Sequence, residues 1–397
     1  MKILIVCQFY YPERFTVSDI AAELVAMGHD VSVVTGKPNY SFGKILPEYK
    51  KVKFEIINEV KVHRVNLLPR TSKEYSLITN YLSFYFNAKR FVRRMKENYD
   101  VVLSVSLSPV ISIAPAILYA KKHKVKHLLH CLDLWPESVV VTGAVRQESF
   151  IYKILYKWSK KLYLQCDKIA VSSPSFIDYF HNTLGISDKP FVFIPQPSLS
   201  TDTSSNAIRF KKKYNFIYAG NVGHIQLVEE IVKAALFISK EKDYQIHVIG
   251  AGSELENVKR IIADNSLNDQ VVCYGALPLN ETQSFYENAD ALIVSLKEGG
   301  TVGKTIPNKL VNYMKFGKPI LGALEGDGRD VLVKSGGAIL TDQNAEGIAE
   351  GMEKIMQLSS AQKEKMGELN RRYYQENFEL RKVAQLLEKE LLATKNS

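Results

Sequence analysis

The sequence contains few of the features that mark secreted, zinc-binding or membrane-spanning proteins. Only four of its 397 residues are cysteine, and none has CxxC or CxxH spacing. This scarcity favours a reducing compartment and argues against a compact structural zinc site. No stretch approaches the roughly 20 apolar residues that span a bilayer. The first apolar run, Ile3–Cys7, is shorter than the roughly 7–15 residues of a secretory signal. The pattern predicts a cytoplasmic protein.

Length and composition predict a globular protein with two domains and an anionic partner. A chain of 397 residues suits two domains of about 200 residues each. Its hydrophobic fraction of 46% and charged fraction of 24% are those of a folded protein rather than a disordered one. The net charge of +10 predicts an anionic binding partner, which could be nucleic acid, a phosphorylated small molecule or anionic lipid. Charge alone does not choose among them.

Strand and helix patterns alternate along two stretches of the chain. The first stretch opens with Ile3–Cys7, a continuous apolar run typical of a buried parallel strand, and the second opens with the predicted strand Asn215–Ala219. The polar, proline-containing segment after Ile194 predicts a linker. The pattern therefore predicts two doubly wound α/β domains whose ligands bind beyond the carboxyl ends of the strands. The predicted boundaries are 1–195 and 207–365, with a final helix over 366–397 that packs back on the first domain.

Two glycine-containing turns follow strands of the second domain. Gly220 and Asn221 come directly after Ala219, and Gly250 and Gly252 follow Ile249. Small residues in such turns allow backbone amides to approach a phosphate. An ordinary strand–helix turn has the same pattern, so each turn is weak evidence by itself. The spacing lacks the G-x-G-x-x-G form and does not favour nicotinamide binding.

The segment 298–319 carries the strongest functional signal in the sequence. It combines glycines, a threonine and lysines ahead of a predicted helix over 308–316. Positive charge and free amides at a helix N-terminus form a suitable seat for a diphosphate. A solvated loop is the alternative. The predicted donor-binding residues in this segment are Glu298, Gly299, Gly300, Lys304, Thr305, Pro307, Asn308, Lys309 and Asn312.

The first domain contributes a carboxylate motif after a strand. Asp133 and Glu137 flank Trp135, one of only two tryptophans. A carboxylate beside an aromatic wall suits sugar binding or acid–base chemistry, although an N-cap aspartate and a packing tryptophan would look the same. We predict Asp133 as catalytic and Trp135 and Glu137 as acceptor-binding. Arg14, in the first strand–helix loop, could bind a phosphate or the acceptor, and a solvent-facing arginine is the alternative.

Basic and aromatic residues mix along 81–96. Lys89, Arg90, Arg93 and Arg94 predict attachment to an anionic lipid surface. Residues 152–163 could extend this patch. A helix with a packed aromatic face and a solvated basic face is an equal alternative. No nucleic-acid recognition motif accompanies the charges.

The order of these motifs resembles the family-4 retaining glycosyltransferases of the GT-B fold. Within that family the chain is similar to the fucosamine-transferase-like branch of bacterial surface-polysaccharide synthesis. The resemblance covers nearly the whole chain. It rests on Met27-Gly-His-Asp-Val31, Asp133-Leu-Trp-Pro-Glu137, Gly220-Asn-Val-Gly223, Ile249-Gly-Ala-Gly252 and Ile306-Pro-Asn-Lys-Leu-Val-Asn-Tyr-Met314 with Gly317-Lys-Pro319.

The resemblance implies a fold, a reaction and partners. Two Rossmann-like doubly wound domains would face each other across an interdomain cleft, with the donor on the second domain and the acceptor on the first. The donor would be a nucleotide-diphosphate sugar, with UDP as nucleotide and an N-acetylated amino or deoxyamino sugar. The acceptor would be a lipid-linked oligosaccharide of O-antigen or capsule synthesis. No cofactor or metal would be required, and no nucleic acid bound. The protein would lie on the inner face of the plasma membrane.

The chain also departs from the family pattern. Arg14-Phe15 stands where many relatives carry two glycines, and Asn221 and Gln226 stand where an arginine and a lysine are usual. The glutamate pair of the family is absent in its usual form: Asn312 aligns with the second glutamate, and either Lys304 or Glu298 with the first. Two other functions remain open: a nucleotide-sugar epimerase of similar fold, and a non-enzymatic, basic membrane- or RNA-associated protein.

Overall fold

The structure, a computed structural model, describes residues 1–40, 43–71, 74–141, 145–198, 208–300 and 305–397. The chain divides into two compact units. The first comprises Met1–Leu199 with Leu380–Ser397, and the second comprises Ser200–Glu379. Each unit is built around one twisted sheet of mainly parallel strands, as the alternating pattern predicts.

The first unit contains an eight-stranded sheet in the order β3-β4-β2-β1-β5-β6-β7-β8, in which only β3 is antiparallel. Residues of β1 alternate between two apolar cores, with Ile3 and Ile5 in one and Leu4 and Val6 in the other. Because helices cover both faces, the strand is apolar and buried from Ile3 to Val6. The strands are β1 Lys2–Val6, β2 Asp30–Gly36, β3 Phe54–Ile57, β4 Val60–Val65, β5 Val101–Ser106, β6 Lys126–Cys131, β7 Lys168–Val171 and β8 Phe191–Phe193; the helices are α1 Thr16–Ala26, α2 Glu74–Arg94, α3 Ala114–His123, α4 Glu137–Val141, α5 Phe150–Tyr163 and α6 Ser175–Asp178, with shorter turns of 3₁₀-helix at Pro47–Tyr49 and Val110–Ile113 and of π-helix at Tyr179–Thr183.

The second unit contains a six-stranded, fully parallel sheet in the order β11-β10-β9-β12-β13-β14. Counted from its own first strand this is the order 3-2-1-4-5-6 of doubly wound dinucleotide-binding folds, in which ligands bind beside the first strand where the order reverses. The strands are β9 Tyr214–Ala219, β10 Tyr244–Ile249, β11 Val271–Gly275, β12 Ala291–Ser295, β13 Ile320–Ala323 and β14 Ala338–Leu340; the helices are α7 Val228–Lys233, α8 Leu255–Asp264, α9 Leu279–Asn288, α10 Asn308–Lys315, α11 Asp327–Ser335, α12 Ala345–Gln357 and α13 Ser360–Asn377, with 3₁₀ turns at His224–Gln226 and Ala234–Leu236.

The C-terminal segment differs from the prediction of one helix over 366–397 that packs on the first domain. Helix α13 remains with the second unit, where Gly367 lies so close to the backbone of Gly317 that a Cβ atom would come within 2.1 Å of its carbonyl oxygen. Phe378 ends α13 with its ring in the second core. The following helix, α14 (Leu380–Lys395), packs against α1 in the first unit. The chain therefore returns to the first unit at Leu380, 14 residues later than predicted.

No helix in the described part of the chain is long and apolar enough to cross a membrane.

Candidate functional site

The second unit holds a pocket of about 530 Å³ at the carboxyl ends of β9, β10 and β11. This is the edge of the sheet at which doubly wound folds bind ligands. Helix α10, which follows β12 along the chain, closes one side. The lining residues are Ala219, Gly220, Asn221, Ile249, Gly250, Ala251, Ala276, Leu277, Thr282, Tyr286, Lys309, Asn312 and Tyr313.

Helix α10 presents three polar side chains to this pocket. Lys309, Asn312 and Tyr313 occupy positions i, i+3 and i+4, which lie on one face of a helix. Leu310 and Met314 are fully buried in the core. The Tyr313 hydroxyl donates to the Ala219 carbonyl at 3.1 Å and accepts from the Ala219 amide at 2.8 Å. These two hydrogen bonds fix the helix, and with it Lys309, against the end of β9.

Lys309 has no hydrogen-bond partner for its Nζ among the described residues, although that atom is shielded from solvent. The Nζ lies 3.4 Å from the centroid of the Tyr218 ring. Burial lowers the pKa of Lys309 well below its usual value. A shielded amine without a partner is costly, and a nearby anion would remove the cost by pairing with the charged form. The feature therefore indicates a site built for a negatively charged ligand.

The start of α10 adds a second orphaned atom. The helix begins after Pro307 without a side-chain cap, and Asn308 Oδ1 is buried without a partner among the described residues. A helix N-terminus carries a partial positive charge that favours anions. The lysine and the helix terminus thus favour the same kind of ligand.

The glycines of the pocket serve contact between neighbouring loops. The Gly220 amide donates to the Ile249 carbonyl at 2.9 Å, and the Gly250 amide donates to the Gly275 carbonyl at 2.7 Å. A Cβ atom on Gly250 would lie 1.8 Å from the Gly220 oxygen, and one on Gly252 would lie 2.2 Å from the Val222 oxygen. These two amides are already paired within the protein, so positive charge from Lys309 carries more of the anion preference than the sequence pattern suggests.

The other predicted donor-binding residues divide into three groups. Gly220, Asn221, Gly250, Lys309 and Asn312 line the pocket. The second group lies outside the pocket lining and comprises Gly252, Glu298, Gly299, Gly300, Thr305, Pro307 and Asn308. Glu298, Gly299 and Gly300 are exposed, with the Glu298 amide donating to Gln343 Oε1 at 2.6 Å, and Thr305, Pro307 and Asn308 are half-buried at the start of α10. Lys304 lies outside the described residues.

Four lining residues come from segments that the sequence analysis did not single out. Ala276 and Leu277 follow β11, and Thr282 and Tyr286 come from α9. Alanine and leucine carry no chemical signal of their own, and here they form an apolar wall of the pocket lining. Only their place after a strand end, at the edge where ligands bind, could have identified them.

Asp133 of the first unit lies in a half-buried position after β6, beside the hydroxyl groups of Ser108 and Ser138. Its Oδ1 accepts from the Leu134 amide at 2.9 Å. Burial raises the pKa of Asp133, and hydrogen bonds from Ser108 and Ser138 oppose that rise. A carboxylate whose pKa is raised is better suited to accept a proton than an exposed one.

Tyr81, which was not anticipated either, lies close enough to Tyr40, Arg70 and Asp133 for their charges to act on its hydroxyl. The Arg70 guanidinium stands 4.9 Å from the centroid of the Tyr40 ring. Burial raises the pKa of Tyr81 to about 12, and the charges of Arg70 and Asp133 act on its hydroxyl in opposite directions. A cation and phenol groups beside a carboxylate can bind a hydroxylated or phosphorylated ligand.

Trp135 and Glu137, predicted to bind the acceptor, have partners within the first unit. Trp135 packs in its apolar core and is 9% exposed. The Glu137 carboxylate is buried and accepts from the Tyr152 hydroxyl at 2.6 Å and the Tyr179 hydroxyl at 3.3 Å. These contacts favour a structural role for both. Arg14 is exposed.

The predicted membrane-binding residues all lie on α2. Arg90, Arg93 and Arg94 are exposed. Lys89 donates to the Tyr85 hydroxyl at 2.9 Å and lies over its ring. The described residues contain no group of three or more His, Cys, Asp or Glu side chains that could hold a metal ion.

Comparison with known proteins agrees with this architecture. Residues 14–197 match the family model "Glycosyl transferase 4-like domain", and residues 200–373 match "Glycosyl transferases group 1". "Probable glycosyltransferase WbjE" of Pseudomonas aeruginosa is 27% identical over 286 residues, which are 65% of this chain and 66%, just under two thirds, of that protein.

Two solved structures with this fold cover nearly the whole chain. Anabaena Alr3699/HepE, crystallised with UDP, is 10% identical with a TM-score of 0.69 and covers 99% of this chain and 100% of its own. WaaG, a glycosyltransferase involved in lipopolysaccharide biosynthesis, is 12% identical with a TM-score of 0.66 and covers 98% and 99%. The two sheets are thus those of the GT-B glycosyltransferases. The chain thus consists of a glycosyl transferase 4-like domain followed by a group 1 glycosyl transferase domain.

Proposed function

We propose that the chain is a retaining glycosyltransferase that uses a UDP-sugar as donor. The observation that carries the proposal is the shielded, unpartnered Nζ of Lys309 in a pocket at the carboxyl ends of β9–β11. A diphosphate would pair with this amine, and the apolar wall of Ala276 and Leu277 would accept the base. HepE, of the same fold, was crystallised with UDP, which supports the choice of nucleotide.

In this proposal Lys309 stabilises the departing diphosphate. Charge develops on the leaving group as the sugar–phosphate bond breaks, and a preorganised cation stabilises that charge. The partial positive charge at the start of α10 acts in the same direction. These protein groups would supply the positive charge themselves, so we expect transfer without a metal ion, and activity that survives a chelator would support this.

Asp133 is proposed to take the proton of the acceptor hydroxyl. Its raised pKa favours proton uptake, and Ser108 and Ser138 hold the carboxylate. Arg70 and Tyr81 would orient the acceptor. Retention of configuration is inferred from the resemblance to family-4 enzymes, in which the acceptor attacks the sugar on the same face from which the leaving group departs.

The donor sugar and acceptor are proposed from the same resemblance. We infer an N-acetylated amino or deoxyamino sugar, a lipid-linked oligosaccharide acceptor, and a place in bacterial O-antigen or capsule synthesis at the inner face of the plasma membrane. WaaG, of the same fold, is involved in lipopolysaccharide biosynthesis, which supports a surface-polysaccharide role.

Binding and turnover with a panel of nucleotide sugars test the proposal. A donor bound only by the folded state raises the melting temperature, and UDP-sugars are expected to do so in the wild type and far less in Lys309→Met. Lys334→Met is the matched control, because Lys334 is an exposed lysine on α11 of the same unit. Equal stabilisation of all three proteins by UDP, or none of the wild type, would refute the assignment of this pocket.

A further inference from the structure

The side chain of Tyr286 on helix α9 ends in a hydroxyl that has no hydrogen-bond partner among the described residues. Two neighbouring tyrosines differ in this respect. The Tyr218 hydroxyl donates to the Asn221 carbonyl at 2.5 Å, and the Tyr313 hydroxyl pairs with the end of β9. A buried phenol usually has a partner, because an unpaired polar group is unfavourable. The missing partner of Tyr286 therefore points to a ligand.

Packing fixes the ring of Tyr286. Its centroid lies 5.3 Å from that of Tyr313 and 4.9 Å from that of Phe316, both in edge or tilted contacts. The residue belongs to the apolar core that also contains Leu310 and Met314 of α10, and it is 8% exposed. Because Tyr286 lines the pocket, the small part that stays accessible faces that pocket. The hydroxyl is thus held in place before any ligand binds.

Tyr286 connects two parts of the pocket lining. Ala276 and Leu277, the apolar wall, directly precede α9, and the Tyr286 ring contacts Tyr313 on the helix that carries Lys309. In the proposed function the base rests on the wall and the diphosphate pairs with Lys309. The ribose joins these two groups in a nucleotide, so its hydroxyls come to the part of the lining that includes Tyr286.

The chemistry of the Tyr286 hydroxyl suits an alcohol. Thr282, one turn earlier on the same face of α9, already donates its proton to the Pro278 carbonyl at 3.0 Å. The Tyr286 hydroxyl retains both its proton and its lone pairs. Burial raises the pKa of Tyr286, so the group remains neutral at physiological pH. A neutral group that can donate and accept matches a sugar hydroxyl, which also does both.

We propose that the Tyr286 hydroxyl forms a hydrogen bond with a ribose hydroxyl of the donor nucleotide, and that this contact makes the pocket select ribonucleotides over deoxyribonucleotides. The inference rests on the proposed function, since it requires a nucleotide in this pocket, and it adds the residue that reads the pentose. A site that pairs a buried polar group with a substrate hydroxyl rejects analogues that lack it, because the group is then left unpaired.

Other roles for Tyr286 have different consequences. A hydrogen bond to the diphosphate or to the base would persist after removal of a ribose hydroxyl, so loss of the phenol would weaken ribo- and deoxyribonucleotides equally. A structural tyrosine would contribute to stability rather than to affinity. Removal of a hydroxyl that has no partner in the ligand-free protein is expected to leave its stability unchanged or slightly higher.

Titration calorimetry of the full-length wild type and Tyr286→Phe with UDP, 2′-deoxy-UDP and 3′-deoxy-UDP tests the proposal. Phenylalanine keeps the ring and its packing and removes only the hydroxyl. The dissociation constant for UDP is expected to be about three- to tenfold higher in the variant. The wild type is expected to prefer UDP over at least one deoxy analogue by a similar factor, and the variant to lose that preference. The same comparison with GDP and its deoxy analogues covers a donor with a different base.

Tyr373→Phe is the matched control. Tyr373 is a half-buried tyrosine of α13 that packs against the same core. Its hydroxyl likewise has no hydrogen-bond partner in the part of the chain that the structure describes, and the residue does not line the pocket. This variant is expected to bind all three nucleotides like the wild type. The melting temperatures of the three ligand-free proteins are expected to agree.

Several results would overturn the proposal. Tyr286→Phe could bind UDP as tightly as the wild type, or it could lose affinity equally for UDP and both deoxy analogues, which would assign the hydroxyl to the diphosphate or the base. A ligand-free variant that melts far below the wild type would show a structural role instead.

Lys309→Met separates this inference from the proposed function. If UDP affinity depends on Lys309 but not on Tyr286, the nucleotide site stands and only the ribose contact is wrong. If the wild type binds neither UDP nor GDP, the proposed function and the ribose contact are both wrong.

Discussion

Replacing Lys309 by methionine should change stability and donor affinity in opposite directions. Methionine keeps much of the length of the side chain but has no charge and needs no partner. The native Nζ is shielded and lies against the Tyr218 ring without a hydrogen bond to any described residue. Leaving a polar group buried and unpaired costs about 1–3 kcal/mol. The free energy of unfolding of ligand-free Lys309→Met should therefore rise by about 1–3 kcal/mol.

The same variant should lose affinity for UDP. A hydrogen bond between an ammonium and a phosphate contributes about 1.5–3 kcal/mol. Its loss corresponds to a roughly 10- to 150-fold higher dissociation constant. Chemical denaturation without ligand measures the first effect, and titration calorimetry with UDP measures the second. Lys334→Met, in which an exposed lysine is replaced, should change neither by more than about 0.5 kcal/mol.

Loss of stability with unchanged UDP affinity would refute this reasoning, because it would show that Lys309 is a structural residue. Unchanged stability and unchanged affinity would equally contradict it.

Three further predictions concern the two units. Burial lowers the pKa of Lys309 in the free protein, and a bound diphosphate would raise it. At a pH between those two pKa values, UDP binding should therefore take up a proton and weaken as the pH rises, which calorimetry in buffers of different ionisation enthalpy would detect. Binding without proton uptake in the wild type, or the same uptake in Lys309→Met, would contradict this. Gly252→Ala should lower the free energy of unfolding by about 1–3 kcal/mol, since its Cβ would lie 2.2 Å from the Val222 oxygen. An unchanged denaturation midpoint would contradict this, because it would show that the two loops can separate without loss of stability. Asp133→Asn should slow transfer about 10²-fold or more and leave the UDP affinity unchanged. Because the pKa of Asp133 is raised, the wild-type rate should begin to fall, as the pH decreases, at a pH above the usual aspartate range. Wild-type turnover by the variant would exclude Asp133 as the base.

The sequence predicts most of the sheet because buried parallel strands are locally encoded. The runs at Val101–Ser106 and Ala291–Ser295 are mostly apolar, and the structure has strands there. Helix α10 begins at Asn308, as the Pro-Asn-Lys pattern predicts. Such signals are contained in a few adjacent residues, so no knowledge of distant contacts is needed.

The site was predictable only in part, since much of it depends on contacts distant in sequence. Lys309 was selected from charge at a helix start, but its Nζ lies over the ring of Tyr218, which the sequence cannot place beside it. The amides of Gly220 and Gly250 are paired with neighbouring loops, a fact set by strand order. The wall of Ala276 and Leu277 has no compositional signature.

The surface helices show a similar limit. The mixture of aromatic and basic residues in 81–96 and 152–163 was visible, but which side chains remain exposed depends on how each helix packs. Leu162 and Tyr163 turn inward while Phe150 and Ile154 face outward. Periodicity gave two faces, and only the packing decides which one is covered.

A structure of the chain with UDP would test the central claim most directly. The account predicts the diphosphate in the pocket at the ends of β9–β11, with Lys309 Nζ moved from the Tyr218 ring to within about 3 Å of a phosphate oxygen. UDP bound elsewhere, or bound in this pocket with Nζ still over the ring and no phosphate contact, would contradict it.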